Sequence, residues 1–161
     1  MRKDQMIKKK NYLNLKICKG CGGACCKRMP GECFPEDFEK PLLENLIEAF
    51  KSGNWAIDWW EGDPRRNKDK LEEAYYIRPR IKGVNRLFDP SWGGECIFLK
   101  KEGCVLPPEK RPISCRLLEP KPKGIDCTNH NGTGKRGAAL AWLPFTKVIL
   151  EASRRIENEN E

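Results

Sequence analysis

The 161-residue chain has one histidine, three methionines and no extended apolar run. With His130 alone, a Cys-His nucleophilic pair has a single base to draw on, and neither charge nor spacing selects a cysteine to go with it. The longest apolar-rich stretch, Ala138 to Phe145, falls well short of a bilayer span, which excludes a transmembrane helix. The N-terminal Met1-Arg2-Lys3-Asp4-Gln5-Met6-Ile7-Lys8-Lys9-Lys10 carries the charge of a signal peptide without the hydrophobic segment behind it, so the protein is expected in the cytoplasm. Asn131-Gly132-Thr133 would matter as a glycosylation sequon only in a secreted form. Asn129 to Arg136 looks like part of a phosphate loop but lacks its first glycine and its closing Ser or Thr, and no Cys-x5-Arg phosphatase loop is present. There is no internal repeat.

What the chain has is cysteine and charge. Its length fits one domain spanning residues 1–161, with residues 1–12 and 157–161 expected as mobile tails. Twelve prolines and fourteen glycines spread along a chain that is 34% charged predict much irregular structure around a modest core. Such a domain needs staples, and nine cysteines supply them. In a reducing compartment clustered cysteines read as metal ligands rather than disulfides. The formal net charge of +8 invites a nucleic-acid reading, but eight thiolates on two dications would bring it to about +4. The Lys8-Lys9-Lys10 run reads most simply as a solvated tail.

The densest stretch is Cys18-Lys19-Gly20-Cys21-Gly22-Gly23-Ala24-Cys25-Cys26. Four thiols in nine residues are too closely spaced for ordinary core side chains, and the small residues between them let the backbone turn tightly enough to aim several sulfurs at one ion. Lys27 to Glu32 forms a turn that returns Cys33 as a fifth candidate ligand. A second group, Cys96, Cys104, Cys115 and Cys127, is separated by Gly and Pro turns. His130, three positions beyond Cys127 in Cys-Thr-Asn-His, is close enough for both side chains to reach one ion, although a lone histidine in a polar loop is more often solvated. Thiolates select zinc, iron–sulfur clusters or copper(I), and a four-sulfur tetrahedron is common to the first two.

Between these groups, Leu42, Leu43, Leu46, Ile47 and Phe50 recur at helical spacing, with Pro41 ahead of them and Gly53 behind. Trp55 to Trp60 alternates weakly and leads into the turn Glu61-Gly62-Asp63-Pro64; its three tryptophans suggest a lid or a packed corner. Asp58, Glu61 and Asp63 beside them form a carboxylate group of a kind common in loops. Tyr75 to Ile81 reads as a strand, placed at an edge by Pro79. The last element, Gly134 to Ile156, is a helix with Ala138, Trp142, Phe145, Ile149, Ala152 and Ile156 on one face, which Pro144 should kink or divide. The fold class expected is a small metal-stabilised α+β domain with two principal helices.

The first cysteine stretch, taken with Gly94-Glu95-Cys96-Ile97-Phe98-Leu99, Glu102-Gly103-Cys104 and Lys110-Arg111-Pro112-Ile113-Ser114-Cys115-Arg116, resembles the YkgJ-like family of cysteine-cluster proteins. That family's pattern is Cys-x2-Cys-x2-Cys-Cys, then Cys-x-Phe-Leu, Gly-Cys and Arg-Pro-x-x-Cys-Arg. All four parts occur here in order, over roughly residues 16–33 and 94–120. The chain departs in having three residues between Cys21 and Cys25. The resemblance implies a zinc- or iron-chelating domain, with Cys18, Cys21, Cys25, Cys26, Cys96, Cys104 and Cys115 at the family's positions; Cys33 and Cys127 join them on proximity and count. Arg111 and Arg116, flanking Cys115, are candidates to offset thiolate charge.

Three function classes follow. The first is a metal-binding protein whose zinc or iron–sulfur cluster is chiefly structural and whose surface meets a protein partner. The second is an iron–sulfur redox or transferase enzyme with the tryptophan-rich segment as its lid. The third is a nucleic-acid binder using the basic N-terminus with Arg78, Arg80, Lys82 and Arg86, recognisable by steep salt dependence.

Overall fold

The computed structural model describes residues 28–61, 64–65, 74–90, 93–101, 103–116, 118–119, 128–129 and 134–159. The periodic run after Pro41 folds as α1, Leu42–Lys51. Its apolar stripe meets the core, with Leu46 and Phe50 buried and Leu42, Leu43 and Ile47 packed beside them. The helix ends where Gly53 takes a φ of 79°, a left-handed conformation that a side chain would oppose. Its last carbonyls are answered by the Ser52 backbone N–H, bonded to Glu48 at 3.1 Å, and the Ser52 hydroxyl, bonded to Ala49 at 2.6 Å.

The chain then enters an antiparallel ribbon of β1, Trp55–Trp60, and β2, Ala74–Pro79, in the register Trp55 opposite Pro79 through Trp60 opposite Ala74. Pro79 sits at the end of β2, where its missing N–H interrupts no ladder. Ile57 also bridges Phe88 on the far side of β1, and Ile81 bridges Cys96. Two small hairpins follow, β3 (Leu99–Lys100) with β4 (Gly103–Cys104), and β5 (Leu118–Glu119) with β6 (Thr128–Asn129). Between the hairpins lies a one-turn helix, α2, Ile113–Arg116.

The terminal helical stretch is divided at Pro144 into α3, Lys135–Trp142, a 3-10 turn at Leu143–Phe145, and α4, Thr146–Glu159. Proline lacks the N–H that would continue the ladder, so the chain tightens and restarts. The architecture is thus α+β, with three main helices rather than two among the described residues. Helical structure also continues to Glu159, into the acidic stretch expected as a tail. Ala138, Trp142, Ile149 and Ala152 are buried, and Phe145 and Ile156 pack against them. α3 covers the ribbon and α4 lies along α1.

The tryptophan-rich segment forms a packed corner. Trp55 meets Phe38 and Phe98 with ring centroids 5.8 and 5.3 Å apart, and Trp59 stands edge-on to Tyr75 at 6.5 Å. Among the described residues no helix is long and apolar enough to cross a membrane.

Near the C-terminal end of β2 Arg78 is fully buried. Its Nε donates to Asp58 Oδ2 at 3.0 Å, Nη1 to the Pro79 carbonyl at 3.0 Å, and Nη2 to both the carbonyl and Oδ2 of Asp89 at 2.8 and 2.9 Å. The Tyr76 hydroxyl adds a bond to Asp58 Oδ2 at 2.9 Å. Desolvation of a guanidinium is costly, and here it is offset by two carboxylates and two carbonyls. Arg78→Ala leaves Asp58 buried without its cation and removes the closer of the cations at Asp89. The expected loss is about 3–5 kcal/mol in urea unfolding; a loss below about 1 kcal/mol would contradict this reading of the network.

Candidate functional site

Four of the nine cysteines fall in the described residues, and each comes from a different stretch: Cys33, Cys96, Cys104 and Cys115. Cys33 is fully buried between the ribbon and α3. Its N–H donates to the Ile77 carbonyl at 2.8 Å, and its own carbonyl accepts from Trp142 Nε1 at 2.9 Å. The backbone carrying this thiol is therefore fixed from both sides. Burial, chiefly, pushes the Cys33 thiol well above its ordinary range, with negative charge at Asp37, Cys115, Glu32 and Cys96 adding to the effect.

Cys96 is buried beside Ile81 at the other end of β2. Its thiol is pushed up to about 11 by burial, against the Phe98 N–H that lowers it, with Cys104 raising it further. Cys104 lies on β4 opposite Leu99. Cys115 lies on α2 against the Gly31 backbone, so closely that a Cβ at Gly31 would stand 2.2 Å from its sulfur. Glycine at position 31 is what makes room for that thiol.

Further contacts tie the two cysteine groups of the sequence. Gly94, two residues ahead of Cys96, donates its N–H to the Arg28 carbonyl at 2.8 Å, and Arg28 follows Cys26 by two residues. Ser114, next to Cys115, donates its N–H to the Glu32 carbonyl at 3.3 Å. Cys18, Cys21, Cys25, Cys26, Cys127 and His130 lie outside the described residues. Among the described residues there is no group of three or more His, Cys, Asp or Glu side chains arranged to hold a metal ion.

Asp37 is the residue that sequence reasoning missed. One oxygen of its carboxylate accepts from the backbone N–H groups of Phe34 at 2.8 Å and Ile113 at 2.9 Å, and the other pairs with Arg116 Nη2 at 3.0 Å. It thereby closes its own 3-10 turn, caps α2, and locks the Cys33 segment to the Cys115 segment, 76 residues away from Ile113 in sequence. An acid at the third position after a Phe-Pro turn start is a capping signal that reveals the first of these roles. The other two depend on tertiary contact.

The candidate flanking cations divide. Arg116 is held by Asp37, while its Nε is buried with no hydrogen-bond partner among the described residues. Arg111 Nε donates to the Leu106 carbonyl at 2.9 Å, and its Nη2 approaches the Cys104 carbonyl at 3.5 Å. Of the basic residues weighed for nucleic acid, Arg78 and Arg80 are buried; Lys82 pairs with Glu95, and Arg86 reaches Asp89 at 3.4 Å. In the tryptophan-side carboxylate group, Asp58 belongs to the Arg78 network and Glu61 is exposed, while Asp63 lies outside the described residues.

Burial pushes Asp37 up to about 6 from an ordinary 3.8, despite the N–H groups of Ile113 and Phe34 and the guanidinium of Arg116, which pull it down. Between those two pH values the folded state holds a proton that the unfolded state has released. The associated stability is complete below the window and is lost as pH rises through it. From pH 4 to pH 7 the wild type should therefore lose on the order of 2–3 kcal/mol relative to Asp37→Asn, read from urea midpoints. Parallel pH profiles for the two proteins would contradict this.

Comparison of the chain with family models, with curated proteins and with solved structures found no match, and its function is argued from these residues themselves.

Proposed function

We propose that the chain is a metal-binding protein whose clustered thiolates coordinate zinc or an iron–sulfur cluster, with the metal chiefly structural and a protein partner at its surface. The observation that supports the reading is the bonding of the Cys33 segment to the Cys115 segment, through Asp37 to the Ile113 N–H and the Ser114 N–H to the Glu32 carbonyl, with Cys96 set beside Ile81 on the same ribbon. Buried thiols with raised pKa values are poor free nucleophiles, but a dication displaces the proton and supplies the charge that burial withholds. The resemblance to YkgJ-like proteins supports the same reading and adds Cys18, Cys21, Cys25 and Cys26 as ligands, with Cys127 joining them on proximity and count.

The described residues fit such a group in two respects. Gly31 leaves the Cys115 sulfur clear of any side chain at that point, and a Cβ there would fill the space. Arg116, directly after Cys115, keeps one buried N–H without a partner, a donor of the kind that steadies metal thiolates. A bound metal would supply cross-links among loops too short and too polar to hold one another by burial alone.

The test is elemental analysis and an absorption spectrum on one anaerobically purified sample. Roughly two zinc per chain in a colourless solution is the expected result. Iron with sulfide and a broad band near about 400 nm would favour the alternative, an iron–sulfur redox or transferase enzyme. Metal at trace level only would overturn metal binding altogether.

A further inference from the structure

Away from the cysteines, the C-terminal ends of α1 and α4 and the loop after β2 enclose a cleft of about 670 Å³. This lies within the roughly 300–1,000 Å³ typical of small-molecule sites. Phe50, Leu87, Phe88 and Ile156 give it an apolar wall. Lys51, Arg80 and Arg86 also line it, against a single carboxylate, Glu157.

Arg80 distinguishes this cleft from an ordinary surface groove. The residue is only 9% exposed, with Nε donating to the Trp55 carbonyl at 2.9 Å and Nη1 to Asn85 Oδ1 at 3.3 Å. Both acceptors are neutral. Arg78, two residues earlier, has two carboxylate partners; among the described residues Arg80 is in no ion pair. Among the described residues its Nη2 makes no hydrogen bond, and the residue lines the cleft, from which a counter-ion can reach it. Arg86 is 61% exposed at its side chain and makes one long contact, 3.4 Å, to an Asp89 whose other oxygen is already held by Arg78. Asp89 acts on Arg80 only from beyond ion-pair distance, so this little-exposed guanidinium favours an incoming anion, and a planar fork suits a carboxylate.

We propose that this cleft binds a small organic carboxylate with an apolar body, its charged end between Arg80 and Arg86 and its chain along Phe50, Leu87 and Phe88. The apolar wall favours an amphiphile over a bare hydrated anion, since only the former removes that wall from water. The site shares no residue with the cysteine groups, so its fate is independent of the metal reading.

Octanoate, octanol and inorganic phosphate, each titrated into the ¹⁵N-labelled full chain and followed by amide shifts, provide the test. Octanoate should give saturable shifts at Lys51, Gly53, Asn85, Leu87 and Phe88, and bind about tenfold more tightly than octanol. Arg86→Ala, at an exposed position that should leave the fold intact, should weaken octanoate about fivefold or more and leave octanol unchanged. Octanol binding as tightly as octanoate, phosphate binding more tightly than octanoate, or shifts that do not saturate at these residues would each overturn the proposal.

Discussion

A guanidinium buried near one end of a two-stranded ribbon sets the terms for the rest of this fold. Two strands alone bury too little to be stable, and in place of further strands Arg78 draws in Asp58 from β1 and both the carbonyl and the carboxylate of Asp89 from the loop beyond. The loop cannot drift without leaving charged groups unpaired in the interior. Ile57 adds backbone bonds on the same side, its N–H to the Leu87 carbonyl at 2.7 Å and its carbonyl from the Asp89 N–H at 2.9 Å.

With β2 fixed in this way, the cysteine-bearing segments are laid against it. Cys33 takes the carbonyl of Ile77, Ile97 donates to the carbonyl of Arg80 at 2.9 Å, and Cys96 bridges Ile81. Trp142 reaches from α3 to the Cys33 carbonyl and packs edge-on to Phe38, joining the helical layer to the cysteine-bearing segment. Asp37 then joins the Cys115 helix to that assembly. Each of these contacts is a hydrogen bond or an ion pair to a short irregular segment. Loops of this kind contribute little apolar burial of their own, and their positions depend on directed bonds that a bound metal would reinforce.

The parts of the fold legible in the sequence were those governed by local rules. The stripe from Leu42 to Phe50 gave α1, the Gly53 stop ended it, and Pro144 divided the last helix where its missing N–H required. The ribbon followed from aromatic and β-branched enrichment around Trp55 to Trp60 and Tyr75 to Ile77. Misleading signals came from charge. Arg78, Arg80, Lys82 and Arg86 look like one basic edge in the sequence, yet the carboxylates that bury Arg78 come from other segments, Asp58 on β1 and Asp89 in the loop beyond β2. Asp58 looked like a loop carboxylate for the same reason. The cysteines were legible as candidates by type and spacing, but the roles of Gly31 and Asp37 were not, because both arise from contact with α2 far along the chain.

If the thiols hold a metal as proposed, that metal is part of the fold rather than cargo on its surface. Thermal unfolding of the reduced protein, followed by circular dichroism before and after removal of metal with a chelator, tests that claim most directly. Loss of the cooperative transition, or its displacement downward by more than about 10 °C, is the predicted result for a domain of this size. A metal-free, reduced protein that melts cooperatively at the same temperature would contradict it.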